Sequence, residues 1–412
     1  MAPKPRTVTA KALQALLTRI GSASSGTKAV LQDRFSRDIN KSLLFTRHPG
    51  WETSRPTDLK LRIVSIDMGI KNLAFCDAEI SYPTKNSLNA TMEIVKWEKI
   101  DLVKTTRHLR SHLPSSKATE RGSAEDDEDV DPYSLSVLSS TAYKLIKNTI
   151  LAGAPDVVLI EKQRWRSGGG SAIQQWTVRV NTLEGMLWAV LETLRSERVV
   201  VLPRLRDRED KRDYEVFGVD PKRVGHYWLG QNMHTLSSTE QEGLVVKRPA
   251  APSAEVEEPG EDEGGVPTKK KLTRSKAEKK IKIAILRSWL SSNLPSTAHT
   301  TSGTAPVITF RIGANAESTR QALCSPKKSP RRRKTDREEG TNMVKVEDIG
   351  ETELKKLDDV TDCFLQAAAW VSWESNRLQL LGVQKRKRGD NGAVAELGDD
   401  VLLEMVKEVE KG

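Results

Sequence analysis

Cysteine is scarce, with only Cys76, Cys324 and Cys363 in 412 residues. The number is odd and no two form a CxxC pair, which argues against a disulfide framework and a zinc site and suits a reducing compartment. Long apolar runs are missing too. No stretch reaches the roughly 18 apolar residues of a membrane-crossing helix, so no membrane partner is expected. The glycine-rich stretch RSGGGS (166–171) lacks the GK[ST] that a Walker loop needs, and no nucleotide cofactor is expected. Acids are absent before Asp33, which leaves a basic N-terminus of the kind that targets mitochondria. Residues 11–20 (KALQALLTRI) read equally well as a folded amphipathic helix.

What is present is charge. Charged residues make up 30% of the chain against 37% hydrophobic, so part of it is expected to be solvated linker rather than core. The net charge of +10 favours a polyanionic partner, nucleic acid above all.

Residues 7–40 predict two short helices. Leu13, Leu16, Leu17 and Ile20 form one apolar stripe, and Val30, Leu31 and Phe35 form a second after a Gly26-Thr27 turn. With Lys28 opening the basic second helix, the pair resembles a SAP motif, a small DNA-binding hairpin. Residues 1–45 are therefore expected to be a separate DNA-binding segment whose removal weakens affinity but leaves a core able to act.

From Leu61 the pattern turns to strands. LRIVSIDMG, NLAFCDAEI and TMEIVKWEKI are three apolar, β-rich runs. A helical stretch (134–151), the strand PDVVLIEKQ, a long amphipathic helix (171–196), and strands in RVVVLPRL and YEVFGVD follow. The order is that of an α/β fold with a mixed central sheet flanked by helices. Its core is expected over 61–235 and 272–382, with disordered insertions at 236–271 and 313–345 and a tail at 383–412.

Acids stand at the ends of these elements. Asp67 ends the first strand, Glu161 ends a later one, and Asp358, Asp359 and Asp362 are read as the first turn of the last helix. Such a cluster at a helix start is ordinarily a cap. Asp359 and Asp362 share a face at i,i+3, and so do Asp358 and Asp362 at i,i+4, which leaves the upper member of the pair open. Acids brought together from three elements repel one another unless a cation neutralises them. Oxygen ligands without His or Cys point to Mg²⁺ or Mn²⁺, and two such ions suit phosphodiester cleavage.

IVSIDMGIKNLAFC, VVLIEKQRWRSGG, KKIKIAILRSWL and KKLDDVTDCFLQAAAW resemble the fungal mitochondrial Holliday-junction resolvases. The resemblance implies an RNase H-like, dimeric, Mg²⁺-dependent endonuclease that cuts four-way DNA junctions. It also implies that Asp67, Glu161 and Asp362, with Asp359 or Asp358, are the catalytic acids. The basic run at 385–388 departs from that family's core and leaves the nucleus open as a compartment beside the mitochondrion.

Around the acids, Lys162, Gln163, Arg164, Trp165 and Arg166 can meet phosphates and stack on an unpaired base. Lys222 and Arg223 at a helix start, and Lys280 and Lys282 on the IKIAILRSWL helix, are further DNA candidates. Ile281, Ile285 and Trp289 read as core.

Two other classes compete. An actin-like ATPase shares the IDMGIKN turn but needs a second glycine-rich turn that the chain lacks. A non-catalytic SAP-type binder explains the charge but not acids on three elements. Within the nucleases, a transposase or general RNase H fits less well than a resolvase.

Overall fold

The computed structural model describes residues 7–45, 60–83, 87–104, 131–163, 175–197, 214–232, 274–291, 296–298, 306–324, 351–387 and 397–411. Helices α1 (Ala10–Arg19) and α2 (Lys28–Asp38) come first. Then come strands β1 (Leu61–Asp67), β2 (Leu73–Ser81) and β3 (Ala90–Ile100), and helix α3 (Leu135–Leu145). Strand β4 (Val157–Glu161), helix α4 (Gln175–Ser196), strand β5 (Glu215–Val219) and helices α5 (Pro221–Asn232) and α6 (Arg274–Leu290) follow. Strands β6 (Ser296–Ala298) and β7 (Ile308–Ile312) and helices α7 (Glu317–Cys324), α8 (Glu351–Lys387) and α9 (Asp399–Lys411) complete the order.

The strands form one seven-stranded sheet in the order β5-β4-β1-β2-β3-β7-β6. β2 runs antiparallel to β1 and β3, while β4 and β5 run parallel to β1. This mixed sheet, flanked by helices, is the α/β class that the element order led one to expect. Because side chains alternate along a strand, β1 feeds two cores. Leu61 and Ile63 join the larger one beneath α5, α6 and α8, and Val64 and Ile66 join the other beneath α3 and α4.

The parallel pairings fix where the acids lie. β1 and β4 end together, so Asp67 and Glu161 come to the same sheet edge. Lys99 joins them, because Asp67 is opposite Ala74 and Ala74 is opposite Lys99.

Helix α8 has 37 residues and is roughly 55 Å long at the helical rise. It crosses one face of the sheet. Trp97 Nε1 on β3 donates to the Val360 carbonyl (2.8 Å), Gln366 donates to Ser65 Oγ on β1 (3.0 Å), and the Trp370 ring lies 5.0 Å from Phe217 on β5. A run as apolar as Cys363–Trp370 can lie there because it is buried on nearly every side.

Several expectations change. The aspartates do not open the helix: α8 begins at Glu351, so Asp358 stands about two turns inside it. A cap or dipole role acts only within the first turn and does not account for them. Residues 313–324 fold, as a 3₁₀ turn (Ala314–Ala316) and α7, with Leu323 fully buried and its carbonyl accepting from Arg287 Nε (2.7 Å). The polar outer face of α7 hid those few buried residues. The expected tail is helical over 383–387 and 399–411. Val30, read as core, is 45% exposed. The strand expected in RVVVLPRL and the insertions at 236–271 and 325–345 lie outside the described residues.

The N-terminal hairpin does not stand apart. Leu13, Leu16, Leu17, Leu31 and Phe35 share a core with Leu380, Leu381 and Val383 of α8 and Leu402 and Met405 of α9. Gly21 ends α1 at φ +72, a conformation that favours glycine, and a β-carbon there would lie 2.2 Å from the Trp373 ring. Glu374, fully buried, pairs with Arg377 (2.6 Å) and accepts from Ser42 Oγ (3.0 Å) and the Leu43 amide (2.6 Å). Arg377 also donates to the Ile39 carbonyl (3.0 Å) and Asn376 to that of Arg19 (3.0 Å).

Candidate active site

Three elements meet at the carboxyl ends of β1 and β4. Asp67 and Glu161 come from the strands, and α8 brings Asp358, Asp359 and Asp362 over them. Asp67 is almost fully buried, and its carboxyl shares a hydrogen bond with that of Glu161. Burial pushes Asp67 well above the usual carboxylate range, and the charges of Glu161, Asp362 and Asp359 push it further. Asp359 and Asp362 act on Asp67, whereas Asp358 lies to the side, 4% exposed, against α6.

Each of these three aspartates has its own lysine. Lys279 pairs with Asp358, Lys99 with Asp359, and Lys282 Nζ lies 2.8 Å from Asp362 Oδ1. Asp359 also accepts from Asn72 Nδ2 (2.9 Å). Gly69 makes that contact possible, since a β-carbon at 69 would lie 2.4 Å from Asn72 Oδ1. Burial raises Asp358, and repulsion from Asp362 adds to it while Lys279 opposes both. Burial lowers Lys282, but the charge and hydrogen bond of Asp362, with Asp358 and Glu161 adding to them, leave it raised.

Among the described residues, no three acids, histidines or cysteines form a ready-made cation cage. The donor set still fits a hard divalent ion. It is all oxygen, and it carries more negative charge than its two nearest lysines balance.

Of the DNA candidates, Lys28, Lys162, Lys222 and Arg223 are exposed and Lys280 is half-buried. The Gln163 amide donates to Glu184 (3.1 Å) and so secures the exit of β4. Lys282 faces Asp362 rather than open solvent. Arg164, Trp165 and Arg166 lie outside the described residues. Asn72, Lys99 and Glu184 escaped the sequence reading. Asn72 alone left a trace, as the end of the DMGIKN turn.

Residues 63–380 match the family model described as mitochondrial resolvase Ydc2 / RNA splicing MRS1. The mitochondrial cruciform cutting endonuclease 1 of Schizosaccharomyces pombe is 28% identical over 170 residues, 40% of this chain and 52% of that protein. The match thus spans about half the length of that relative. The protein of the same name from Saccharomyces cerevisiae is 24% identical over 319 residues, 77% of this chain and 70% of that one. The crystal structure of the yeast mitochondrial Holliday junction resolvase Ydc2 superposes with a TM-score of 0.45 at 18% identity, covering 92% of this chain and 99% of that one. Thermus thermophilus RuvC gives 0.21 at 12% identity, over 47% and 86%.

Proposed function

The chain belongs to the mitochondrial resolvase Ydc2 / RNA splicing MRS1 family, and from that membership we propose that it is a metal-dependent endonuclease resolving four-way DNA junctions in mitochondria. The family name spans two activities. The observation that favours cleavage is the meeting of Asp67, Glu161, Asp359 and Asp362, from three elements, at one sheet edge. A protein that only bound nucleic acid would have no use for buried acids that repel one another.

In this reading those four acids hold Mg²⁺ or Mn²⁺, and Asp358 sets the place of Lys279. Ions bound there activate water and stabilise the leaving oxygen of a phosphodiester. Lys99 and Lys282 balance the acids and lie where a phosphate's charge would enter. Lys28, Lys162, Gln163, Arg164, Trp165, Arg166, Lys222, Arg223 and Lys280 supply the contacts that orient the junction. The protein acts as a homodimer, since two opposed strands must be nicked.

The test is cleavage of a synthetic four-way junction, a linear duplex and an RNA–DNA hybrid, each with and without Mg²⁺. Paired nicks in the junction alone, only with the ion, are expected. Junction binding without any cleavage would return the protein to the non-catalytic class.

A further inference from the structure

A cleft of about 220 Å³ opens where the hairpin, the β5–α5 turn and α8 meet. Its position follows from the sheet register. Val219, which lines it, is the strand partner of Glu161, roughly 5 Å away across one strand spacing. The cleft therefore lies at the same end of the sheet as the acids. Lys162 joins the two places. Its stem runs over Gly218, where a β-carbon would lie 2.4 Å from Lys162 Cε, and Gly218 lines the cleft.

The lining is mixed in a particular way. Phe217 is half-buried, lines the cleft and is backed by the Trp370 ring at 5.0 Å. Lys41 and Arg223 are exposed at the rim, and the Arg223 guanidinium bridges to the Gly21 carbonyl of the hairpin (3.3 Å). Asp38 adds a carboxylate, one oxygen of which takes Arg37 (2.8 Å).

We propose that this cleft receives an unpaired nucleobase of the junction strand whose phosphate lies at the acids. A flat ring stacks on Phe217, Asp38 accepts from its amino edge, and Lys41 and Lys162 meet the flanking phosphates. The inference rests on the junction reading above. An anion alone would not suit a lining that holds Asp38, and an aliphatic ligand would leave the rim charges unused.

Full-length protein and four-way junctions carrying one abasic nucleotide, stepped through the positions flanking the branch point, provide the test. Binding is measured without divalent metal, so that cleavage does not intervene. At one position the missing base should weaken wild-type binding about tenfold. Phe217→Leu, which keeps the apolar volume and whose fold is checked by its melting curve, should bind the intact junction correspondingly less well. It should lose no further affinity to the abasic site, as coupled groups do. Lys41→Ala, at an exposed position, should weaken binding to every junction of the set while keeping the abasic penalty. Tight junction binding with no abasic penalty at any position, or with the same penalty in wild type and Phe217→Leu, overturns the cleft alone. A wild type that binds junction no better than duplex overturns the junction reading and the cleft with it.

Discussion

Asp67 is where burial and like charge work together, and its titration has a definite sign. Its pKa is raised in the folded protein, so folding favours its protonated form. That contribution is full below the ordinary carboxylate pKa of about 3.8 and is lost as pH climbs through the raised value. The metal-free protein should therefore lose stability as pH rises from the acid range towards neutrality. Asp67→Asn should remove much of that loss, which melting curves across pH would register. The same variant should keep junction binding and lose cleavage by orders of magnitude, and a near-wild-type rate would remove Asp67 from the site. The three aspartates of α8 should separate in parallel assays. Asp359→Asn and Asp362→Asn should abolish cleavage and reduce the stabilisation that Mg²⁺ gives in a melt. Asp358→Asn should lower activity only modestly, because its partner is Lys279 on α6. Equal, full activity in all three would leave these acids without a catalytic role. Sequence placed Asp67, Glu161 and the α8 acids in one group because, though each alone reads as a turn residue or a cap, acids recur on three elements of a basic chain. It could not choose between Asp358 and Asp359, since both share a face with Asp362 and their different partners, Lys279 on α6 and Lys99 on β3, come from distant segments.

Helix α8 carries the acids near one end and the hairpin's attachments further along. The buried Glu374–Arg377 pair is satisfied by Ser42, Leu43 and Ile39, all in or just after the hairpin. Glu374→Ala would leave Arg377 charged and buried without its partner, which costs about 3–5 kcal/mol. Chemical denaturation should show that loss, and an unchanged midpoint would mean that solvent reaches the pair. Deleting residues 1–45 should be worse than the sequence reading allows. It strips Leu44 and Phe45 from the main core and every hairpin ligand from Glu374 and Arg377. A truncated chain that melts like the full one would show the hairpin to be separable after all. The two helices of that hairpin were legible from their leucine spacing, down to the Thr9 cap that accepts from the Ala12 amide (3.2 Å). Their docking was not, because the partners lie more than 300 residues away, on a stretch of α8 whose Glu, Asn and Arg read as solvent-facing. Strands β6 and β7 were missed for a related reason. They are three and five residues long, too short to stand out, and it is pairing with β3 and with each other that makes them strands.

At the scale of the whole molecule, the charge of +10 should show itself as salt sensitivity. Junction affinity should fall steeply and linearly on a log–log plot against salt concentration, as counterion release requires, and a flat plot would mean that phosphates are not the main contacts. Sedimentation should find two copies per junction if the paired nicks are made together. The α/β order and the mixed sheet were legible at this scale because β-branched runs and amphipathic helices announce themselves locally. The closing of the site was not, since it depends on chain segments that meet only in the finished fold. That distance has a consequence in time. Asp67 and Asp362 are nearly 300 residues apart, and loop closure of that length makes for slow, late assembly. While the chain is being made from its N-terminus, Asp67 and Glu161 emerge early but have no third or fourth acid to meet. On the proposed reading, a half-made copy holds no complete ion site, however well its first strands have paired, and cutting ability arrives only once the segment beyond residue 350 has been synthesised and laid across the sheet.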